Sequence, residues 1–73
     1  MAKYNGHRSW NAWNVSLWIS NDESLYTHAV RLVRVYGAGK AAYVLASELA
    51  GQKTPDGAKY NITSIREALR GII

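Results

Sequence analysis

Apolar residues recur at the three- and four-residue spacing of a helix from Trp10 onward, which predicts a first helix over about 10–19. Ser9 directly precedes this segment, and its hydroxyl suits the N-cap position of a helix. The helix also contains Trp13 and Trp18. Because buried aromatic rings stabilise small cores strongly, we expect most of the three tryptophans to anchor the core. The alternative is that one of them faces a partner.

A second helix is predicted over about 21–36. Its inward stripe contains Leu25, Ala29, Leu32 and Tyr36. The roughly opposite stripe is polar and basic and contains Thr27, Arg31 and Arg34. The segment from Ser20 to Glu23 is typical of a capping box, with Glu23 at the third helical position. Gly37 suits the end of this helix because glycine adopts the left-handed conformation there without strain.

A third helix is predicted over about 39–50, and it is rich in alanine and almost entirely apolar outside Lys40, Ser47 and Glu48. Such a helix is expected to be central and closely packed. A fourth helix is predicted over about 62–71, because three apolar residues recur there at helical spacing: Ile65, Leu69 and Ile72. A second possible capping box begins at Ser64.

The loop at 51–60 contains the turn signal Pro55-Asp56-Gly57. Ten residues is long for a connection between helices, so the loop is either a plain connector or a functional segment, and the sequence leaves both open. Residues 1–8 show no periodicity and contain the turn signal Asn5-Gly6. The sequence therefore predicts an all-α fold: one compact domain of about four short helices over 9–73, preceded by an irregular, flexible arm at 1–8.

Composition excludes several kinds of chemistry. The chain has 73 residues, no cysteine and two histidines, so it offers no disulfide, no thiolate and no clear zinc ligand set. Its five acidic residues are scattered, and no nucleophile–base pair is visible. The segment from Gly37 to Lys40 lacks the first glycine and the hydroxyl residue of a phosphate-binding loop. We expect a protein that is not an enzyme and has no cofactor, no metal and no catalytic residue.

The charge is net positive, with nine basic and five acidic residues. Basic and aromatic residues together are typical of surfaces that bind proteins or nucleic acids. The arm and the start of the first helix are assigned to partner binding through Tyr4, Asn5, His7, Arg8 and Trp10. Five cations further along the chain are assigned a nucleic-acid-facing role: Arg31, Arg34, Lys40, Lys53 and Lys59. A helix-turn-helix reading of the second and third helices is disfavoured, because the third helix offers almost no side chains that read base edges.

The opening YNGHRSWNAWNVSLWISNDESLY resembles the YNG…WNV.LW..NDE opening of a family of short phage and prophage proteins. In its length and its amino-acid sequence, the chain is similar to small transcription regulators of lytic Xanthomonas phages. This resemblance implies a regulator that binds the β′ subunit of host RNA polymerase near the RNA exit channel. It implies inhibition of σ-dependent initiation and antitermination at intrinsic terminators. NusA and nascent RNA are the further partners it suggests, and the host bacterial cytoplasm is the location.

The resemblance transfers no catalytic residue and no motif that fixes the contact positions. No apolar run approaches the roughly 18 residues of a membrane span, and the core uses most apolar residues, so we expect a monomer that has no membrane partner. Two alternatives stay open: a phage inhibitor of another host machine, and a small basic nucleic-acid-binding domain. A structural virion component is a further possibility that particle analysis would test.

Overall fold

The computed structural model describes residues 9–72, which form an all-α fold, as the sequence predicts. The helices are α1 (Trp10–Asn21), α2 (Glu23–Tyr36), α3 (Ala38–Glu48) and α4 (Ile62–Arg70). Each observed end lies within two residues of the predicted end. In the described part of the chain, β pairing is confined to an isolated antiparallel bridge between Lys53 and Lys59. The predicted arm at 1–8 lies outside the described residues.

Side-chain caps fix the starts of α1, α2 and α4, and one of these caps matches its prediction. Ser9 caps α1 as expected, because its hydroxyl accepts a hydrogen bond from the N–H of the third helical residue. The cap of α2 is Asp22, whose carboxylate accepts from the Leu25 N–H at 3.0 Å. The predicted capping box at Ser20 is wrong because Ser20 still belongs to α1 and Glu23 is the first residue of α2.

A capping box does form at α4, but one turn earlier than predicted. Asn61 is the cap, and its side chain accepts from the Ser64 N–H at 2.9 Å. In return, the Asn61 N–H donates to the Ser64 hydroxyl at 3.2 Å. Ser64 is therefore the inner partner of the box instead of its first residue, and the amide of Asn61 fills the role predicted for the serine hydroxyl.

Gly37 alone connects α2 to α3. Its φ of 84° lies in the left-handed region that glycine adopts freely, and its N–H donates to the Val33 carbonyl at 2.8 Å. Near the other ends of the two helices, His28 Nε2 lies 2.6 Å from Glu48 Oε1. Because α2 and α3 are joined at Gly37 and also meet through His28 and Glu48, α3 folds back along α2.

All four helices and the loop contribute to the core. The buried apolar side chains are Ala12, Val15, Ile19, Ala29, Leu32, Val33, Ala41, Ala42, Leu45, Ala58, Ile65, Ala68 and Leu69. None of the three tryptophans belongs to this set, so the prediction that most of them anchor the core is wrong. Trp10 is 41% exposed, and Trp13 and Trp18 are half-buried. Ala12 and Val15 are the buried apolar residues near the middle of α1, which packs against α4.

Two tyrosines lie at the surface, and one of them differs from its predicted position. Tyr36 was expected in the inward stripe of α2, but it is 46% exposed, and Val33 is buried in its place. The third helix is central as predicted, since Ala41 and Leu45 are fully buried, yet its Tyr43 is 66% exposed. A tyrosine hydroxyl needs a polar partner, so a position at the domain surface costs less than burial.

The loop between α3 and α4 is fastened to α1 by a ladder of polar side chains. Asn11 makes two hydrogen bonds with the backbone of Lys59: its amide N–H donates to the carbonyl at 2.9 Å, and its oxygen accepts from the N–H at 2.7 Å. One turn further, the buried Asn14 accepts from the Thr54 hydroxyl at 2.6 Å and donates to Asp56 at 3.0 Å. Because these atoms span both edges of the loop, its conformation is fixed by α1.

The Pro55-Asp56-Gly57 turn is present as predicted. The Gly57 N–H donates to the Thr54 carbonyl at 2.9 Å, and Gly57 has a φ of 96°. The Thr54 hydroxyl also accepts from the Ala58 N–H at 3.0 Å, which closes the turn from within. Among residues 9–72, no helix combines the length and the hydropathy needed to cross a membrane.

Candidate nucleic-acid and partner interface

The segment from residue 24 to residue 47 contains no aspartate or glutamate, and it covers most of α2 and α3. It carries Arg31, Arg34 and Lys40. A run of this length with three cations and no acid produces a positive local potential, which attracts phosphates and acidic protein surfaces. Three of the five cations predicted to face nucleic acid therefore lie in one acid-free stretch of 24 residues.

Arg31 and Arg34 are both exposed on α2, on the side opposite the buried Ala29 and Leu32. Residues three apart on a helix are neighbours, so the two guanidinium groups belong to one ridge. The predicted basic stripe of α2 is thus exposed, while its nucleic-acid role stays a prediction. Each guanidinium can bind a phosphate or a carboxylate through two parallel hydrogen bonds.

Two shallow grooves adjoin this ridge and share three of their residues. The first has a volume of about 250 Å³ and is lined by Tyr26, Thr27, Val30, Arg31 and Arg34. The second has a volume of about 260 Å³ and is lined by Tyr26, Val30, Val33, Arg34 and Ile72. Both combine an apolar floor with a cationic edge. This pairing suits a partner that presents an apolar group beside an acidic one.

Lys40 lies in the first turn of α3, away from the two grooves of α2. Its Nζ atom is 5.6 Å from the centre of the Tyr36 ring, a distance at which the ring attracts a cation. No side chain caps α3, because Gly37 occupies the cap position. The positive end of the helix dipole is therefore added to the charge of Lys40.

Lys53 and Lys59 are brought together by the loop. They face each other across the antiparallel bridge, and both line a groove of about 290 Å³ with Gln52, Tyr60 and neighbouring residues. The five predicted cations are therefore divided among three places: the α2 ridge, the start of α3 and the loop.

One carboxyl group and one phenol group of the loop have shifted pKa values. Hydrogen bonds from Asn14 and Trp18 lower the pKa of Asp56 below its ordinary 3.8, so its carboxylate stays ionised and bound to α1. Burial raises the pKa of Tyr60 above its ordinary 10.0, and the negative charge of Asp22 adds to the effect. Neither group is placed to perform acid–base chemistry at neutral pH.

Of the five residues predicted to bind a partner, the structure describes one. Trp10 is the first residue of α1 and is 41% exposed, so its ring is available to a partner. Tyr4, Asn5, His7 and Arg8 lie outside the described residues. Within residues 9–72, no three histidine or acidic side chains are clustered in a way that could hold a metal ion.

Sequence reasoning missed three exposed tyrosines. Tyr26, Tyr36 and Tyr43 are 40%, 46% and 66% exposed. The chain has five tyrosines and no phenylalanine, and this balance is the signal that could have found them. A residue with an apolar ring and a polar tip suits a position at the protein surface more than a closed core.

The family comparison covers almost the whole chain. A model of a family of unknown function, DUF7249, matches residues 1–72, so the chain belongs to that family. No curated protein and no solved structure is significantly similar to it.

Proposed function

We propose that this member of the DUF7249 family is a phage-encoded, non-enzymatic regulator that binds the β′ subunit of bacterial RNA polymerase in the host cytoplasm. It inhibits σ-dependent initiation and lets elongating polymerase pass intrinsic terminators. The observation that carries the proposal is the exposed ridge of Arg31 and Arg34 in a stretch of 24 residues, from 24 to 47, without an acid. The choice of polymerase rests on the resemblance of the opening residues.

The arginine ridge supports a role beside a nucleic acid. Phosphate contacts by arginine release condensed counterions, so the binding they contribute falls as salt rises. With two arginines, removal of both is expected to lower the slope of log affinity against log salt by about two. The neighbouring grooves at Tyr26 and Val30 add apolar contact area for the protein partner.

Antitermination by such a protein needs no chemical step. An intrinsic terminator acts when the RNA hairpin forms in the exit channel, which requires room there. A domain that binds the narrower polymerase state more tightly than the wider one shifts the equilibrium toward elongation. A tenfold shift needs a difference of about 1.4 kcal/mol in binding free energy. In initiation, the same docking competes with contacts between the polymerase and σ.

The arm at 1–8 supplies the protein contacts in this proposal, with Trp10 continuing them onto α1. Ordering a segment on binding costs conformational entropy, which reduces its affinity for a given contact area. The arm carries Lys3 and Arg8 and no acid, so it also favours an acidic partner surface.

Capture of purified RNA polymerase tests the proposal. Tagged wild-type protein is expected to retain the core enzyme, and the double substitution H7A/R8A is expected to weaken retention without changing the helical content. The matched control is R66A/R70A, which removes two exposed cations from α4 outside the candidate interface and is expected to retain the core enzyme like wild type. Equal retention by all three proteins would show that the arm is not the contact segment. Retention of no polymerase by the wild-type protein would overturn the proposal and favour another host target.

A further inference from the structure

The start of α3 carries an aromatic surface that the polymerase proposal does not use. It consists of Tyr36, Lys40 and Tyr43, and we call it the tyrosine platform. Tyr36 and Tyr43 are 46% and 66% exposed, and the Lys40 Nζ lies 5.6 Å from the Tyr36 ring centre. Lys40 and Tyr43 are three residues apart on α3, so they are neighbours on one helix face.

We propose that the tyrosine platform binds single-stranded RNA by stacking bases on Tyr36 and Tyr43 while Lys40 contacts the phosphate between them. An exposed aromatic ring offers its face to any unpaired base, so the binding tolerates many sequences. The Lys40 cation, which lies over the Tyr36 ring, matches the negative charge that accompanies each base. Together these features complement a single strand and not a duplex, whose bases are already stacked.

The charge of the surroundings favours an anionic occupant over an apolar protein surface, and the two exposed rings favour an anion that carries bases. The segment from 24 to 47 has no acid, and the next acid along α3, Glu48, is hydrogen-bonded to His28. Gly39 precedes Lys40, and a Cβ added at Gly39 would meet no atom within 4 Å. A single strand of RNA can therefore approach the start of α3 without meeting a side chain at residue 39.

This inference rests on the proposed function in one respect only, the choice of RNA over DNA, since the nascent transcript is the single strand nearest to the proposed docking site. The platform itself is tested without polymerase. Failure of RNA binding would leave the result of polymerase capture unchanged, and failure of polymerase capture would leave a positive RNA-binding result unchanged. The two claims are therefore separable.

Fluorescence anisotropy with a labelled, unstructured RNA of about ten nucleotides measures the binding. Each of Tyr36→Ala and Tyr43→Ala is expected to weaken affinity by about fivefold or more, while Tyr36→Phe and Tyr43→Phe retain it, because phenylalanine still stacks. Lys40→Gln is expected to reduce the salt slope by about one. The matched control is Val35→Ala, which shortens an exposed apolar side chain that cannot stack on a base and is expected to leave the affinity unchanged. Circular dichroism of each variant confirms that the fold is retained.

Two results would overturn the inference. Equal affinity for double-stranded RNA would show attraction to charge without stacking. Absence of RNA binding would also overturn it, and weaker polymerase capture by the Y36A/Y43A variant would then show that the surface docks a protein.

Discussion

The indole N–H of Trp18 donates a hydrogen bond of 2.9 Å to the carboxylate of Asp56, which lies 38 residues further along the chain. The same oxygen accepts from the Asn14 side chain at 3.0 Å. One exposed acid therefore ties the loop at 51–60 to two successive turns of α1. This contact explains why Trp18 is half-buried at the surface: its polar edge has a partner there.

Asn14→Ala is expected to destabilise the fold by about 2 kcal/mol. Asn14 is 1% exposed, and its loss leaves the buried Thr54 hydroxyl without its acceptor. Urea unfolding measures the change. The matched control is Asn21→Ala at the exposed end of α1, for which we expect a change of less than about 0.5 kcal/mol. Similar effects of the two substitutions would contradict a special role for the Asn14 contacts.

The Asp56 contact predicts a dependence of stability on pH. The pKa of Asp56 is lower in the folded state than its ordinary 3.8, so its stabilising effect is complete above that value and is lost as the pH falls below it. The difference in melting temperature between wild type and Asp56→Asn is therefore expected to be constant from neutral pH to about pH 5 and to shrink at more acidic pH. A difference independent of pH would exclude an ionised Asp56 from the stabilisation.

The cap of α2 gives a second pair of matched variants. Asp22→Ala is expected to cost about 1 kcal/mol, because the Leu25 N–H loses its side-chain acceptor. Ser20→Ala is expected to have little effect, since Ser20 lies inside α1 and is exposed. Chemical unfolding of both variants decides the assignment, and a larger loss for Ser20→Ala would restore the capping box predicted from the sequence.

Tyr60 is expected to lose its proton at a higher pH than a tyrosine in an unfolded chain. Burial and the charge of Asp22 raise its pKa above 10.0, so the folded state holds this proton more tightly than the unfolded state. The stabilisation is present below that value and is lost as the pH rises through the folded pKa. Absorbance titration of phenolate should show a late component that Tyr60→Phe removes. A late component that persists in this variant would assign it to another tyrosine.

The helices could be predicted from the sequence because their apolar positions recur at helical spacing. The cap positions were harder, since Ser20, Asn21 and Asp22 are consecutive residues that can all cap a helix. The backbone geometry selected Asp22. The choice depends on where α1 ends, and the apolar pattern places that end only to within two residues.

The candidate surfaces could be predicted only in part. Exposure of Arg31 and Arg34 followed from their position opposite the apolar stripe of α2. Tyr36 fitted the apolar stripe by spacing, but it lies at the end of α2, beyond the part that packs on the core. The pairing of Lys53 with Lys59 could not be predicted, because it depends on the ladder of hydrogen bonds from Asn11 and Asn14 to the loop.

Transcription in vitro across an intrinsic terminator, with purified bacterial RNA polymerase, tests the central claim most directly. The wild-type protein is expected to increase readthrough, and R31Q/R34Q is expected to lose most of that effect. The control R66Q/R70Q removes two exposed arginines from α4, and hence the same charge, and is expected to act like wild type. Equal loss in both double variants would mean that net charge alone matters. Absence of readthrough with the wild-type protein would contradict the account.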